Sequence, residues 1–189
     1  LPAAMQLLVL PQGMLFIADS NVNFDPTTAE IVAIARLAAE EVRRFGLVPK
    51  IALLSHSNFG SAPTPSSRKM REAVQRLQEL LPDIEIEGEM KADAAVSEAI
   101  RDKLLPDGKL RGAANLLVMP NLDAANIAAN LVRQIDQGFY VGPILMGMAK
   151  SAHIVSRNVT VRGLVNMSAV AVVDAQDHAD GAMGQWLKS

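Results

Sequence analysis

Short apolar runs alternate with longer amphipathic stretches along this chain of 189 residues. The runs 14–18, 51–54 and 116–119 have the length and aliphatic character of buried strands. Between them, apolar residues recur at helical spacing over roughly 10 to 20 residues. Because strands that alternate with helices form βαβ units, this order predicts a three-layer α/β/α fold around a mainly parallel sheet.

Capping residues and apolar spacing define the first predicted helix. Asp25 is the expected N-cap, Pro26 occupies the first helical position, and Gly46 ends the helix. Its predicted apolar face comprises Ile31, Ile34, Ala35, Ala38, Val42 and Phe45.

Isoleucine and glutamate alternate from Ile84 to Glu87, which is typical of an edge strand with one face in water. Further helices are predicted at 67–81, 93–104, 123–134 and 160–175, and further strands at 140–146 and 153–155.

Charge and composition argue against several classes of function. The formal net charge is −2 and the charges are scattered, so nothing marks a surface for nucleic acid or anionic membranes. No apolar run approaches the ~18 residues of a membrane span. The chain has no cysteine, which excludes disulfides and thiolate metal sites and agrees with a reducing cytosol. We therefore expect a cytoplasmic protein without nucleic-acid or membrane partners.

Signals for targeting and for familiar cofactors are missing from the sequence. The opening Leu1–Met5 lacks the basic region of a signal peptide, and we interpret it as the cut end of a longer protein. His56, His153 and His178 do not have the spacing of metal ligands. There is no G-x-G-x-x-G, Walker A or G-x-S-x-G motif. Neither a metal nor a nucleotide cofactor is expected in this chain.

Polar segments follow the predicted strands, at the edge where open parallel sheets bind ligands. They are 19–21, 55–61, 121–123, 147–150 and 156–158. Their hydroxyls, amides, glycines and two cations suit an anionic or phosphorylated ligand. The alternative is that these Ser, Asn and Asp residues only cap helices and form turns.

The segment Leu53–Ser61, followed by Arg68–Ala73, resembles phosphate acetyltransferases and, more closely, the phosphotransacetylase-type domain of bacterial malic enzymes. Similar stretches follow in the same order at 87–95, 119–127, 142–148 and 153–157. The resemblance extends from about residue 7 to residue 175, and the ordered set of stretches is more specific than any one of them.

The resemblance implies two α/β domains with acetyl-CoA in the cleft between them. Residues 1–12 would end a truncated first domain, 13–150 would form the central domain, and 151–189 would be a return segment and C-terminal helix. Arg157 would be the main anionic anchor for acetyl-CoA. The complete set of expected ligand-binding residues is Ser57, Asn58, Gly60, Ser61, Asn126, Lys150, Ser156 and Arg157.

One position departs from the active members of the family. There the Ser-Arg pair is followed by an acidic residue that accepts the proton of the CoA thiol, and in this chain that position falls on Gly163. Loss of a positioned base slows a reaction by ~10²–10⁴. The resemblance therefore implies no catalytic residue here and a site that binds acetyl-CoA without converting it.

Three functions remain open from the sequence. The favoured one is an acetyl-CoA-sensing regulatory and oligomerisation domain of an NADP-dependent malic enzyme, whose NADP and divalent metal bind another domain. Such a domain is expected to form a homo-oligomer through the apolar segments 124–132 and 139–141. The second is an active phosphate acetyl- or butyryltransferase, and the third a structural module with an empty cleft.

Overall fold

The computed structural model describes residues 1–136, 139–157 and 159–179. The strands in those ranges are β1 (Ala3–Leu10), β2 (Gly13–Ala18), β3 (Lys50–Leu54), β4 (Glu85–Met90), β5 (Leu116–Val118) and β6 (Phe139–Met146). The helices are α1 (Thr28–Arg44), α2 (Pro65–Leu80), α3 (Ala92–Val96), α4 (Glu98–Leu104), α5 (Leu122–Asp136) and α6 (Val161–Ala179). No helix in the described part of the chain is long and apolar enough to cross a membrane.

The strands form one sheet in the order β4-β3-β5-β2-β1-β6. The β4, β3, β5 and β2 strands pair in parallel, whereas β1 pairs antiparallel with both β2 and β6. The prediction of an α/β fold with a mainly parallel sheet is confirmed. Residues 1–12, expected to end a truncated first domain, include β1, which lies between β2 and β6 in this sheet.

Side chains alternate between the two faces of the sheet, and each face is covered by helices. In β5, Leu116 and Val118 pack in the core beneath α1 and α2, whereas Leu117 packs on the opposite side with Ala125 and Ala129 of α5. A strand buried on both faces has no polar side and therefore forms a continuous apolar run. The predicted three layers are present.

Helix α1 begins two residues later than the Asp25-Pro26 signal indicates. Thr27 is the N-cap and forms a reciprocal capping box with Glu30. Asp25 instead accepts a hydrogen bond from Lys69, at 2.7 Å. The predicted apolar face is confirmed, because Ile31, Ile34, Ala35, Ala38 and Val42 are all buried.

Strand β4 lies at the edge of the sheet, as predicted, but its glutamates do not form a wet face. Glu87 and Glu89 are both buried. Glu87 accepts the backbone N–H of Lys109 at 2.9 Å, so a loop covers this part of the strand. The local alternation of residues could not predict this covering loop, because Lys109 lies 22 residues after Glu87 in the chain.

Two further predicted elements differ from the structure. The helix expected at 93–104 is divided into α3 and α4 at Ser97, which has extended backbone angles. Residues 153–155 do not form a strand. His153 instead accepts the backbone N–H of Leu145 through Nδ1, at 3.2 Å, and this bond holds the connection against β6.

Candidate functional site

A buried carboxylate organises the loop 55–61 that follows β3. Glu89 Oε1 accepts the Ser57 hydroxyl and the Gly60 backbone N–H, both at 2.8 Å. Arg71 donates to both oxygens of the same carboxylate, at 2.9 and 3.1 Å. The Phe59 N–H reaches the Glu89 carbonyl at 2.8 Å. One side chain of β4 therefore fixes this loop and joins it to α2.

Close packing at this carboxylate requires glycine at position 60. Gly60 has a φ of +94°, and a Cβ there would lie 2.7 Å from Arg71 Nη2. A side chain would have to displace the guanidinium from its carboxylate. The glycine is therefore explained by the approach of Arg71 as well as by backbone conformation.

Glu89 is ionised at neutral pH. Its side chain is fully buried, and burial by itself would raise the pKa. Hydrogen bonds from Arg71, Ser57 and the Gly60 N–H outweigh that cost and hold the pKa of Glu89 below its usual value. The negative charge is compensated, so this group is not poised to exchange protons near neutral pH.

Internal hydrogen bonds also occupy the other polar groups of the loop that the sequence singles out. Ser57 is buried, and its hydroxyl accepts the Ala62 N–H at 3.0 Å while donating to Glu89. Asn58 accepts the Lys91 N–H at 2.8 Å, and its own N–H donates to Ser61 Oγ at 3.0 Å. These contacts shape the loop, and contact with a ligand stays a prediction for each of these residues.

A separate cavity of about 700 Å³ opens beside β1, β6, α5 and the start of α6. It is partly polar and partly apolar. Its lining residues are Gln6, Asn21, Asn126, Asn130, Arg133, Phe139, Tyr140, Val141, Gly142, Pro143, Ile154, Val155, Ser156, Val159, Thr160, Gly163 and Met167.

Amide side chains, hydroxyl groups and one cation provide the polar part of this cavity. Gln6 donates to Asn21 Oδ1 at 3.2 Å, which orients two amides along one wall. Arg133 donates to Asn130 at 2.9 Å and lies 5.1 Å from the centre of the Tyr140 ring. Burial raises the pKa of Tyr140, so its phenol stays protonated and can donate a hydrogen bond. The wall suits a neutral or anionic ligand.

The first turn of α6 forms another wall. Thr160 Oγ1 accepts the Gly163 N–H at 3.0 Å, which identifies Thr160 as the N-cap and Gly163 as the third helical residue. A Cβ at Gly163 would lie 3.0 Å from a methyl group of Val159, so a larger residue requires a small local shift. Among the described residues that line the cavity, none is Asp or Glu.

The structure divides the predicted site residues into three groups. Ser57, Asn58, Gly60 and Ser61 share the loop after β3, whereas Asn126 and Ser156 line the cavity. Lys150 and Arg157 are exposed, and neither is among the described residues of the cavity wall. The expected strand before Arg157 is absent, so a strand end does not place that side chain.

Sequence reasoning missed Glu89, Arg71, Asn130 and Arg133 as parts of these sites. The alternating pattern of β4 predicts that its glutamates, including Glu89, face water. The pattern alone therefore misplaces Glu89. For Asn130 and Arg133 a signal existed. They follow Asn126 at helical spacing of four and three residues, which places all three on one side of α5.

Comparison with known proteins identifies the fold family. The profile of the phosphate acetyl/butaryl transferase family matches residues 2–172. The chain belongs to this family. The phosphotransacetylase structure from Streptococcus pyogenes superposes with a TM-score of 0.87 at 30% sequence identity, covering 95% of this chain and 54% of that one.

Malic enzymes and phosphate acetyltransferases are both among the similar proteins. The chain is 54% identical to the NADP-dependent malic enzyme of Salmonella typhimurium over 92% of its own length and 23% of that protein. It is 38% identical to the phosphate acetyltransferase of Paracoccus denitrificans, over 87% of this chain and 52% of that protein. The chain therefore spans about a quarter of the malic enzyme and about half of the phosphate acetyltransferase that it matches.

Proposed function

We propose that this chain is a regulatory and oligomerisation domain of an NADP-dependent malic enzyme, and that it binds acetyl-CoA without transferring the acetyl group. The observation that carries this proposal is the composition of the cavity wall: Gly163 stands where the resemblance places an acid, and no described lining residue is a carboxylate. The malic enzyme relative, at 54% identity, supports the same assignment.

The cavity suits the arm of an acyl-CoA. Its volume of about 700 Å³ lies within the ~300–1,000 Å³ of small-molecule sites. Asn126, Asn130 and Gln6 offer amide groups that match those along a pantetheine arm, and Phe139 and Met167 add apolar surface. Arg157, exposed next to Ser156, is our proposed partner for the phosphate or carbonyl oxygen.

Acyl transfer requires a group that accepts the proton of the CoA thiol. Asp19, next to the segment that carries Asn21, cannot take this role without rearrangement. Its carboxylate already accepts the backbone N–H groups of Ala4, Asn21 and Asn23, at distances of 2.9 to 3.1 Å. Without a base we expect transfer to be ~10²–10⁴ slower than in an active family member.

An apolar ridge on α5 supports the oligomerisation part of the proposal. Ile127, Leu131 and Ile135 follow one another at intervals of four residues, and they are 65%, 56% and 74% exposed. Three large aliphatic side chains on one helix face form a surface that a second subunit can cover.

Restoring an acid at position 163 in the full-length protein tests the assignment. The third position of a helix accommodates an acid well, because the N-terminal end carries a partial positive charge. We expect Gly163→Asp to transfer acetyl groups between phosphate and CoA at least tenfold faster than Gly163→Asn. The asparagine variant is a matched control of equal shape without a base.

Two outcomes would contradict the proposal. Wild-type transfer within tenfold of an active phosphate acetyltransferase would support the enzyme instead. Calorimetry that detects no acetyl-CoA binding by the full-length protein would favour a structural module with an empty cleft.

The metal and NADP of the parent enzyme are a separate question. No group of three His, Asp or Glu side chains in the described residues is arranged to hold a metal ion. We place NADP and the divalent metal in another domain.

A further inference from the structure

Charged side chains from three segments converge on Arg44, on the face of the sheet covered by α1 and α6. Arg44 Nη1 bonds the carboxylates of Glu41 and of Asp174, the latter at 2.9 Å, and Arg44 Nε lies 2.8 Å from Asp177. Glu41 and Arg44 belong to α1, whereas Asp174 and Asp177 belong to α6. One guanidinium at the end of α1 therefore joins the two helices.

Two histidines complete this cluster from different sides. His178 Nδ1 lies 2.7 Å from the Asp174 carbonyl, and its Nε2 lies 3.3 Å from the Met148 carbonyl. Both ring nitrogens face acceptors, so only the imidazolium form can donate to both. His153, by contrast, accepts the Leu145 N–H through Nδ1 and presents Nε2 to Asp174 at 3.5 Å. Its geometry fits the neutral ring.

We propose that these six side chains, of Glu41, Arg44, His153, Asp174, Asp177 and His178, form a clasp that holds the end of α6 on α1 and loosens as the pH rises across neutrality. We name them the Arg44 clasp. The proposal stands independently of acetyl-CoA binding.

Charge balance gives the direction of the effect. With Glu41 protonated and His178 charged, two cations face two aspartates and the clasp is neutral. With Glu41 ionised and His178 neutral, Arg44 alone faces three carboxylates. Glu41 and Asp174 then both carry a negative charge at the same Arg44 nitrogen, and their mutual repulsion acts between α1 and α6.

The titrating groups change charge in the required range. Burial raises the pKa of Glu41 from 4.5 to about 7, against the opposing effect of Arg44. Between pH 4.5 and about 7, the clasped state therefore binds more protons than the released state. The stability of the clasped state falls as the pH rises through this range. The hydrogen bond to the Asp174 carbonyl raises the pKa of His178 above 6.5, and the stability it adds is lost as the pH rises through that raised value.

Neighbouring groups modify this behaviour without reversing it. Burial lowers the pKa of His153 below 6.5, so its protonation weakens the clasp only at more acidic pH. Glu40, on the same helix, has a pKa raised by burial, against the charges of Arg44, Arg36 and Arg43. It therefore adds to the loosening as it ionises. Clasping is tightest in mildly acidic solution.

The clasp lies at the opposite end of α6 from the cavity. Gly163 and Met167, early in α6, line the cavity, whereas Asp174 to His178 lie near its end. A consequence that rests on the proposed function is weaker acetyl-CoA binding at higher pH. Hydrogen exchange in the absence of ligand tests the clasp alone, so its failure is distinguishable from failure of acetyl-CoA binding.

The test is hydrogen–deuterium exchange of α6 in the ligand-free full-length protein at pH 6 and pH 8, corrected for the intrinsic exchange rate. For a carboxyl with a pKa of about 7 in the clasped state, protection should fall about tenfold between these pH values. Strand β3, away from the clasp, should show a smaller change. Glu41→Gln should remove most of the pH dependence, because glutamine keeps the shape and cannot ionise.

Glu79→Gln is the matched control, since Glu79 is an exposed glutamate of α2 outside the clasp. It should leave the tenfold change intact. His178→Gln should reduce the change that remains in Glu41→Gln. Equal α6 protection at the two pH values in the wild type overturns the proposal, even if the variants do not fold. So does full pH dependence in a folded Glu41→Gln protein.

Discussion

The loop after β3 and the cavity beside α6 use similar polar residues in different ways. In the loop, Ser57 and Asn58 bond to groups of the protein itself, and the buried Glu89 receives donors from Arg71, Ser57 and Gly60. In the cavity, Asn126 and Ser156 border an open volume of about 700 Å³. Similar polar residues therefore shape a loop in one region and border an open cavity in the other.

The difference shows why residue type alone does not identify a binding residue. A buried hydroxyl or carboxylate needs internal partners, so its hydrogen-bonding capacity is already occupied. A side chain at a cavity wall keeps some of that capacity. Substitutions in the loop should therefore reduce stability, whereas substitutions near the cavity should reduce ligand affinity.

The largest effect is expected for Glu89→Gln. The amide cannot neutralise Arg71 or accept all of the donors that the carboxylate accepts, so the free energy of unfolding should fall by about 2–4 kcal/mol. The estimate is below that for a fully buried pair because Arg71 is 37% exposed. Urea denaturation measures the change.

The same variant has a pH signature. Because the pKa of Glu89 is held below 4.5, its ion pair contributes stability above that value and loses it as the pH falls through the lowered pKa. The difference in the free energy of unfolding between the wild type and Glu89→Gln should therefore become smaller in acid. A constant deficit from pH 7 to pH 3 would contradict the ionised carboxylate. Glu79→Gln should change stability by less than ~0.5 kcal/mol.

The second prediction concerns Arg157, next to the cavity. Arg157→Ala in the full-length protein should weaken the acetyl-CoA response tenfold or more, corresponding to a lost charge-assisted contact of ~1.5–3 kcal/mol. Stability and malate turnover without effector should be nearly unchanged. Titration of enzyme activity with acetyl-CoA measures the effect.

Arg76→Ala provides the control for loss of positive charge, since Arg76 is an exposed arginine that pairs with Glu72 on α2. It should leave the acetyl-CoA response unchanged. An equal acetyl-CoA response in Arg157→Ala and the wild type would show that Arg157 is only a surface charge. It would favour the third function, a structural module with an empty cleft.

The third prediction concerns the ridge on α5. Leu131→Glu should weaken self-association at least tenfold, or ~1.4 kcal/mol, because it places a charge within an apolar contact. Leu80→Glu on α2 is a matched control, since Leu80 and Leu131 are 54% and 56% exposed. Sedimentation of both variants over a concentration series compares them. A monomeric wild type at micromolar concentration would contradict the oligomerisation proposal.

The smallest effect is expected at the start of α6. Thr160→Ala removes the oxygen that caps Gly163 N–H and should reduce hydrogen-exchange protection in the first turn by an amount equivalent to ~1 kcal/mol. Thr160→Ser, which retains the hydroxyl, should preserve protection. Equal loss in both variants would exclude the capping role.

Features that depend on local spacing could be predicted from the sequence. The buried face of α1 follows from apolar residues at helical intervals, and β5 from an aliphatic run. The Glu89 cluster could not be predicted in this way, because Arg71 lies on α2, 18 residues before Glu89 in the chain. The inner position of β1 likewise depends on pairing with β6, whose first residue lies more than a hundred positions further along the chain.

The candidate site was predictable to a similar extent. The resemblance indicated that Gly163 occupies the position of the missing acid. The structure shows that Gly163 lines a cavity together with Asn126 and Ser156. The resemblance could not indicate that Ser57 is buried against Glu89, since that depends on how β4 packs against the loop. Motifs identified residues near the site, and the structure shows that Ser57 is buried within its loop whereas Asn126 and Ser156 are exposed at the cavity.

Titration of the full-length protein with acetyl-CoA in phosphate buffer tests the central claim most directly, with calorimetry for binding and an assay for acetyl phosphate on the same samples. The account predicts saturable binding and acetyl phosphate formation at least ~10²-fold slower than in an active phosphate acetyltransferase. Absence of saturable binding, or acetyl phosphate formation within tenfold of that enzyme, would contradict it.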